Sequence, residues 1–408
     1  MKIEQKDVVF YVRNFPVLSE TFVFNQVKSL VNAGLKVEVL SVNPVNDDNG
    51  MLTKLFGEHW NNNVKSILPK TSKLFFNFYS ILGLFSCIFI KKRSNLVKLY
   101  FDLISKGQFF WAKDLMAQVW FARRLDTVAQ CCVSHFGNNG VILDQLRTAN
   151  IIKVKNLFTI FHGYEISRYD QLHIWGKYYG SLKGSYLPIS KHWKEKLIEL
   201  GACEKNIRVL HMGVDIEKFN FEDKRLSTPL RILSVARATE KKGLRYAIEA
   251  VLNNENESHY RIIGGGTLLE ELKQQVTEHP HKHRVEFLGA QPSDVVASEL
   301  KRTDLFLLPS VQDRFGDKEG IPVSLMEAMA SGVLVLSTHH SGIPELVLDG
   351  ETGFLVPEKN SLEITNTINK IKDSTNLTNI RLSARKKIES EFNENTLKDE
   401  LIELLSKE

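Results

Sequence analysis

The chain has 408 residues, 43% of them hydrophobic and 25% charged, a balance that excludes a disordered or fibrous protein and a length that exceeds one ordinary core. Two domains of roughly 200 residues each fit that length. The net charge of +5 hides an asymmetry: residues 1–200 carry 26 Lys and Arg against 15 Asp and Glu, and the remainder is acidic.

A basic half suits an anionic partner such as a phospholipid surface or a pyrophosphate-linked acceptor. Its cations are not interleaved with aromatics on a recognisable module, so nucleic acid is not an expected partner. Cys87, Cys131, Cys132 and Cys203 have no metal-ligand spacing, and adjacent cysteines seldom pair. No metal site is expected, and the thiols suit a reducing, cytoplasmic compartment. The first residues, Met1 to Lys6, lead into a strand pattern with no apolar signal core.

In chain order, apolar β-rich runs at Val8–Val12, Val37–Val42, Cys131–Phe136, Leu157–Phe161 and Ser185–Ile189 predict strands in the first half. Runs at Arg231–Val235, Arg261–Ile263, Val285–Leu288, Leu305–Leu308 and Val333–Leu336 predict them in the second. Continuous apolar strands separated by helix-like stretches indicate an α/β protein with two Rossmann-like domains, their parallel sheets covered by helices. The predicted domains are 1–212 and 213–385, with 386–408 a C-terminal helix returning to the first.

Leu74–Ile90 breaks the rhythm: an aromatic apolar stretch, barely long enough to span a bilayer, with Lys73 before it and Lys91, Lys92 and Arg93 after it. Two readings fit, a helix lying in a membrane interface and a buried hairpin of the first domain.

Candidate chemistry clusters at predicted strand ends, where open α/β sheets bind ligands. Phe15–Phe22 follows the first strand, and Ser19, Glu20 and Thr21 are loop candidates for helix capping or a phosphate contact. His135 and His162 end two later strands; a lone histidine there is more often packed than functional, and His135 is read as packed. After Val235, Arg237 and Lys242 converge on one point, where a guanidinium fork and an ammonium can hold a diphosphate and stabilise it as it departs. Gly264, Gly265 and Gly266 allow close backbone approach to a nucleotide.

After Leu308 comes a polar loop carrying Glu319, Gly320, Ile321 and Pro322, with Pro322 placed as the first residue of a helix that Gly332 ends. The helix start offers unpaired amides to a phosphate. Glu319 can accept from sugar hydroxyls, and Glu327, a turn into the helix, from a ribose diol. Ser341–Glu345 is placed to shape the pocket edge.

Together these stretches resemble the retaining glycosyltransferases of family four, whose GT-B fold sets two Rossmann-like domains across a cleft. The likeness is dense from Leu230 to Pro357 and rests on Arg237, Lys242-Gly243, Gly264–Gly266, Phe287-Leu288-Gly289, the Glu319–Glu327 pair and Gly342–Glu345. It implies that Arg237 and Lys242 bind the donor diphosphate, that Glu319 lies by the donor sugar with Gly265, Gly320, Ile321 and Pro322 around it, and that Glu327 holds the ribose. It makes His162 the histidine beside the transferred sugar. The Phe15–Phe22 loop lacks the glycines many members carry and looks more like a subgroup building capsular, colanic-acid-like or other exopolysaccharides.

The resemblance further implies hexosyl transfer with retention from a nucleotide sugar, a UDP-sugar rather than a GDP-sugar, onto a lipid-linked or glycan acceptor, with no cofactor and no metal. The thiols point to a cytoplasmic protein, and the cations flanking the apolar stretch to a peripheral seat on the inner face of the membrane through residues 73–93. The alternatives are a nucleotide-sugar 2-epimerase on the same architecture and a non-catalytic binding scaffold.

Overall fold

The computed structural model describes residues 6–17, 20–88 and 90–406. Its first sheet comprises β1 (Lys6–Val12), β2 (Val37–Ser41), β3 (Val64–Ser66), β4 (Val128–His135), β5 (Lys153–Phe161) and β6 (Ser185–Pro188). These strands are all parallel, in the order β3-β2-β1-β4-β5-β6.

The second sheet comprises β7 (Leu230–Val235), β8 (Ser258–Ile263), β9 (Val285–Gly289), β10 (Leu305–Leu308), β11 (Leu334–Thr338) and β12 (Phe354–Val356). It is parallel as well, in the order β12-β11-β10-β7-β8-β9. Numbered from its own first strand, each sheet follows the doubly wound order, in which winding reverses beside the first strand. The reversal lies between β1 and β4 in one sheet and between β7 and β10 in the other. Loops leaving those strands therefore diverge and open a crevice.

Central strands such as β2 and β11 are buried along their whole length, the pattern of strands covered on both faces. β3 and β12 were not expected from the sequence. Each is a three-residue edge strand, too short to carry a recognisable run. Pro322 is also one place off its predicted position: it is the N-cap of the helix Val323–Ala330, and Gly332 follows the C-cap Ser331 with φ +76°.

The two halves are sewn together by chain crossings that lie side by side. The helix Leu377–Glu391 packs on the second core and runs through residue 385, so the return begins at Phe392, later than expected. There the Val214 amide donates to the Phe392 carbonyl at 2.9 Å and the Glu394 amide to the Val214 carbonyl at 3.1 Å. Gly213 permits this approach, since a Cβ on it would lie 2.6 Å from Glu394 Cα. The helix Glu394–Ser406 then buries Leu401, Leu404 and Leu405 in the first core. Leu401→Ala removes a side chain that is 1% exposed and is expected to destabilise the first half by about 2–5 kcal/mol. The readout is a lower urea midpoint for its unfolding.

Candidate active site

In the second half, loops leaving four strands meet at one edge. Ala238, one residue past Arg237, donates its amide to the Gly265 carbonyl at 2.8 Å. Gly264, at φ +139°, lies so close that a Cβ would sit 1.9 Å from the Ala236 carbonyl oxygen. The turn at Lys241–Gly243 is fastened to the loop after β10 by a 2.9 Å bond from the Val311 amide to the Lys241 carbonyl. Gly243 has φ +64°, and a Cβ there would meet the Pro309 oxygen at 1.9 Å. Arg237 is exposed and makes no ion pair among the described residues.

Glu319, 7% exposed, is the electrostatic centre of this edge. Its carboxylate lies 2.9 Å from Lys242 Nζ and 4.0 Å from Lys241 Nζ. Burial alone would push the carboxyl up, but the charges of Lys242 and Lys241 and the bond from Lys242 outweigh it and hold Glu319 below the usual carboxylate range. Lys241 also pairs with Asp317 at 3.1 Å. Below Glu319 the loop is buttressed from the segment after β11. The Glu319 amide donates to His340 Nε2 at 3.0 Å, so His340 carries its proton on Nδ1, which lies 2.6 Å from Glu358. The Ser341 hydroxyl donates to the Glu319 carbonyl at 2.6 Å.

Glu327 stands a turn into the helix Val323–Ala330. Burial pushes its carboxyl up to about 7, with Lys218 pulling the other way. No hydrogen bond to that carboxylate occurs among the described residues.

In the first half, His135 and His162 stack with ring centroids 5.2 Å apart. His135 Nε2 lies 2.9 Å from Gln26 Oε1, and His135 Nδ1 lies 3.0 Å from His162 Nε2. With Gln26 accepting, His135 accepts in turn from His162 Nε2–H, which leaves His162 Nδ1 as an acceptor. Burial lowers His135 well below the ordinary imidazole value and brings His162 to about 3, so both rings are neutral near pH 7. Phe22 and Phe136 bracket His162, at 4.6 and 4.7 Å between centroids. His135 is thus packed, as expected, and packed against His162.

Of the loop candidates, Ser19 lies outside the described residues. Glu20 is the N-cap of the helix Thr21–Asn32 without a side-chain cap bond, and Thr21 is already helical, so neither caps that helix through its side chain. Among the described residues of this segment, Phe22 packs against His162.

The two halves meet around these groups. A Cβ on Gly320 would lie 2.4 Å from Ile189 Cδ1 and 3.2 Å from the His162 carbonyl oxygen, so only glycine lets the Glu319 loop pass under His162. The Lys318 amide donates to Ser167 Oγ at 3.3 Å and the Tyr169 amide to the Phe315 carbonyl at 3.0 Å. Glu345 reaches across to the helix Lys191–Glu199, accepting from the Lys191 amide at 2.8 Å and the His192 amide at 3.0 Å.

Three residues of this arrangement were given no role from the sequence, and a fourth only a general one. Glu165 accepts from the His162 amide at 2.8 Å, and burial pushes its carboxyl up to about 7; its signal was its place three residues after His162. His340 and Lys241 carried none, being assigned by contacts across loops. Glu345 was read only as pocket edge.

The chain matches the family model described as glycosyl transferases group 1 over residues 215–388. It is 36% identical to the amylovoran biosynthesis glycosyltransferase AmsK of Erwinia amylovora, over 98% of this chain and 99% of that one. The chain belongs to the group 1 glycosyltransferases. Within them it is 34% identical to WcaL of Escherichia coli (strain K12), a glycosyltransferase named for colanic acid biosynthesis, again over 98% and 99% of the two chains. Among solved structures, Anabaena HepE in complex with UDP-glucose shares the fold at a TM-score of 0.71, with 17% identity over 98% of this chain and all of that one.

The Glu345 contact caps a helix of the opposite half, and losing such an acceptor costs about 0.5–2 kcal/mol. Glu345→Ala is expected to speed hydrogen exchange at Lys191 and His192 by about tenfold. Glu345→Gln, which keeps an acceptor oxygen, is expected to recover part of that protection.

Proposed function

We propose that this enzyme moves a hexosyl residue from a nucleotide diphosphate sugar, a UDP-sugar in preference to a GDP-sugar, onto a lipid-linked or oligosaccharide acceptor in bacterial surface polysaccharide synthesis. The observation that carries the reading is the buried Glu319–Lys242 pair, set just before a helix start and next to Gly320, which passes close to the His162 carbonyl. The names of the amylovoran and colanic acid relatives support the polysaccharide assignment. The UDP-glucose bound by HepE supports the choice of donor base.

In this reading the donor diphosphate draws Lys242 away from Glu319 and recruits Arg237, which is free to turn toward it. Neutralisation of the leaving charge then falls to these two cations and to the amides opening the helix Val323–Ala330, without a metal. Gly265, Gly320, Ile321 and Pro322 admit the donor close to backbone. Glu319, ionised under the influence of both lysines, accepts from the donor sugar's hydroxyls, and Glu327 accepts from the ribose. His162 Nδ1 accepts from a hydroxyl of the transferred sugar, its ring fixed by His135 and its backbone by Glu165. Transfer proceeds with retention by front-face attack, the departing phosphate taking the acceptor proton, so catalysis is positioning and charge stabilisation.

The acceptor enters from the first sheet. A polar cavity of about 280 Å³ lies there, lined by Asn14, Phe15, Pro16 and the Pro44–Asn49 segment at the carboxyl ends of β1 and β2.

Lys242→Ala is expected to lower turnover at saturating donor by about two to three orders of magnitude; an unchanged turnover would remove Lys242 from the mechanism. Glu327 supplies a pH test. Its carboxyl is protonated below about 7, and only the ionised form accepts from both ribose hydroxyls, so donor affinity rises with pH. Between pH 6 and pH 8 the gain is about tenfold, read by calorimetry, and Glu327→Gln should remove that part of the slope.

A further inference from the structure

The helix Lys73–Ile88 is folded with its large side chains outward. Toward the protein it presents Ser80, Gly83 and Cys87. Ser80 Oγ donates to the Lys113 carbonyl at 2.8 Å, and a Cβ on Gly83 would sit 1.9 Å from the Met116 carbonyl oxygen. The side chains facing away are Leu74, Phe75, Phe78, Ile81, Phe85 and Ile88, between 51% and 76% exposed. At 100° per residue, all of these except Phe75 fall within an arc of roughly 80°, a stripe about 20 Å long. The buried-hairpin reading thus fails for this face. Nor is any helix of the described residues long and apolar enough to cross a membrane.

The stripe continues onto the helix Phe109–Ala122. Contacts of Ser80 with Lys113 and of Gly83 with Met116 set the two helices side by side in the same direction. Phe109 and Phe110, both exposed, therefore lie level with the start of the first helix. From Lys70 to Arg124 the chain carries ten Lys and Arg and only two acids, Asp102 and Asp114. Both acids are committed to ion pairs, Asp102 with Lys106 and Lys177, Asp114 with Arg13. An apolar stripe carried by a segment with this excess of cations, its two acids already paired, complements a surface that is apolar within and anionic at its face.

We propose that this face seats the protein on an anionic phospholipid bilayer, the helix Lys73–Ile88 lying in the plane of the headgroups. The position of the face carries a consequence for the site. Arg13, next after β1, lies 5.3 Å from the Phe110 ring centroid and 4.7 Å from that of Trp111. The start of the stripe therefore borders the carboxyl edge of the first sheet, and the bilayer lies next to the cavity at Asn14–Pro16. A lipid-linked acceptor would reach that edge without leaving the membrane.

The test is flotation of the purified full chain with vesicles of phosphatidylcholine alone or with phosphatidylglycerol added, without donor or acceptor, so that it stands apart from the transfer reading. Binding is expected only with the anionic lipid and should fall on raising sodium chloride from about 0.1 to 0.5 M. A Phe78→Glu and Phe85→Glu double variant should bind roughly a hundredfold more weakly, and Lys73→Glu with Lys98→Glu should lose the preference for anionic lipid. UDP titration unchanged in both variants would show that each is folded. Equal flotation of the wild type and the double variant would overturn the proposal. So would a wild type that ignores the vesicles and forms a dimer that the same substitutions dissociate.

Discussion

A carboxylate taken out of water is tolerated only beside positive charge, and the Glu319–Lys242 pair imposes that condition on the donor edge. Removing Lys242 leaves the buried carboxylate with Lys241 alone, at 4.0 Å, and a buried charge that loses its partner costs far more than the pair itself stabilises. The surrounding architecture keeps the pair in register. Gly243 brings the lysine turn against the carbonyl of Pro309. His340 and Ser341 grip the backbone of Glu319 on both sides. The doubly wound strand order delivers the turn after β7 and the loop after β10 to one crevice. An arrangement strained toward a single geometry by burial is also one that a diphosphate can enter, because Lys242 can exchange one anion for another.

The same loop defines how the halves face each other. Gly320 passes under the His162 carbonyl, and Glu345 caps a helix belonging to the opposite sheet. The groups of the two halves are thus joined here by a few polar contacts, while the helix Glu394–Ser406 packs in the first core. Weak contacts at the site and apolar packing at the crossing permit one half to move against the other without separation. His135 belongs to the same logic. It is buried and neutral, and it holds the ring of His162 by stacking and a hydrogen bond.

Ten strands were legible because each carries an apolar β-rich run long enough to recognise, edge strands β6 and β9 included, whereas β3 and β12 have three residues to show. The sequence could place Arg237, Lys242, Glu319 and Glu327 at this edge because each follows a strand or lies near a helix start, where ligand chemistry concentrates. Lys241, His340 and Glu358 could not be placed so, since their partners come from other loops and nothing local announces them. Glu345 was visible as a residue, but its capping role depends on a helix more than 140 positions away. The Leu74–Ile90 segment was readable as apolar and cation-flanked, yet only the placement of Ser80, Gly83 and Cys87 decides which face turns inward.

The measurement that bears most directly on the donor site compares calorimetric titrations of UDP with UMP, and of GDP with GMP, in the wild type and in Lys242→Ala. If Lys242 exchanges Glu319 for the terminal phosphate, one diphosphate binds at least about tenfold more tightly than its monophosphate, a gap of about 1.4 kcal/mol, and the gap narrows in the variant, where Arg237 and the helix amides remain. Equal affinities for diphosphate and monophosphate in the wild type, or a gap undiminished without Lys242, would contradict that exchange.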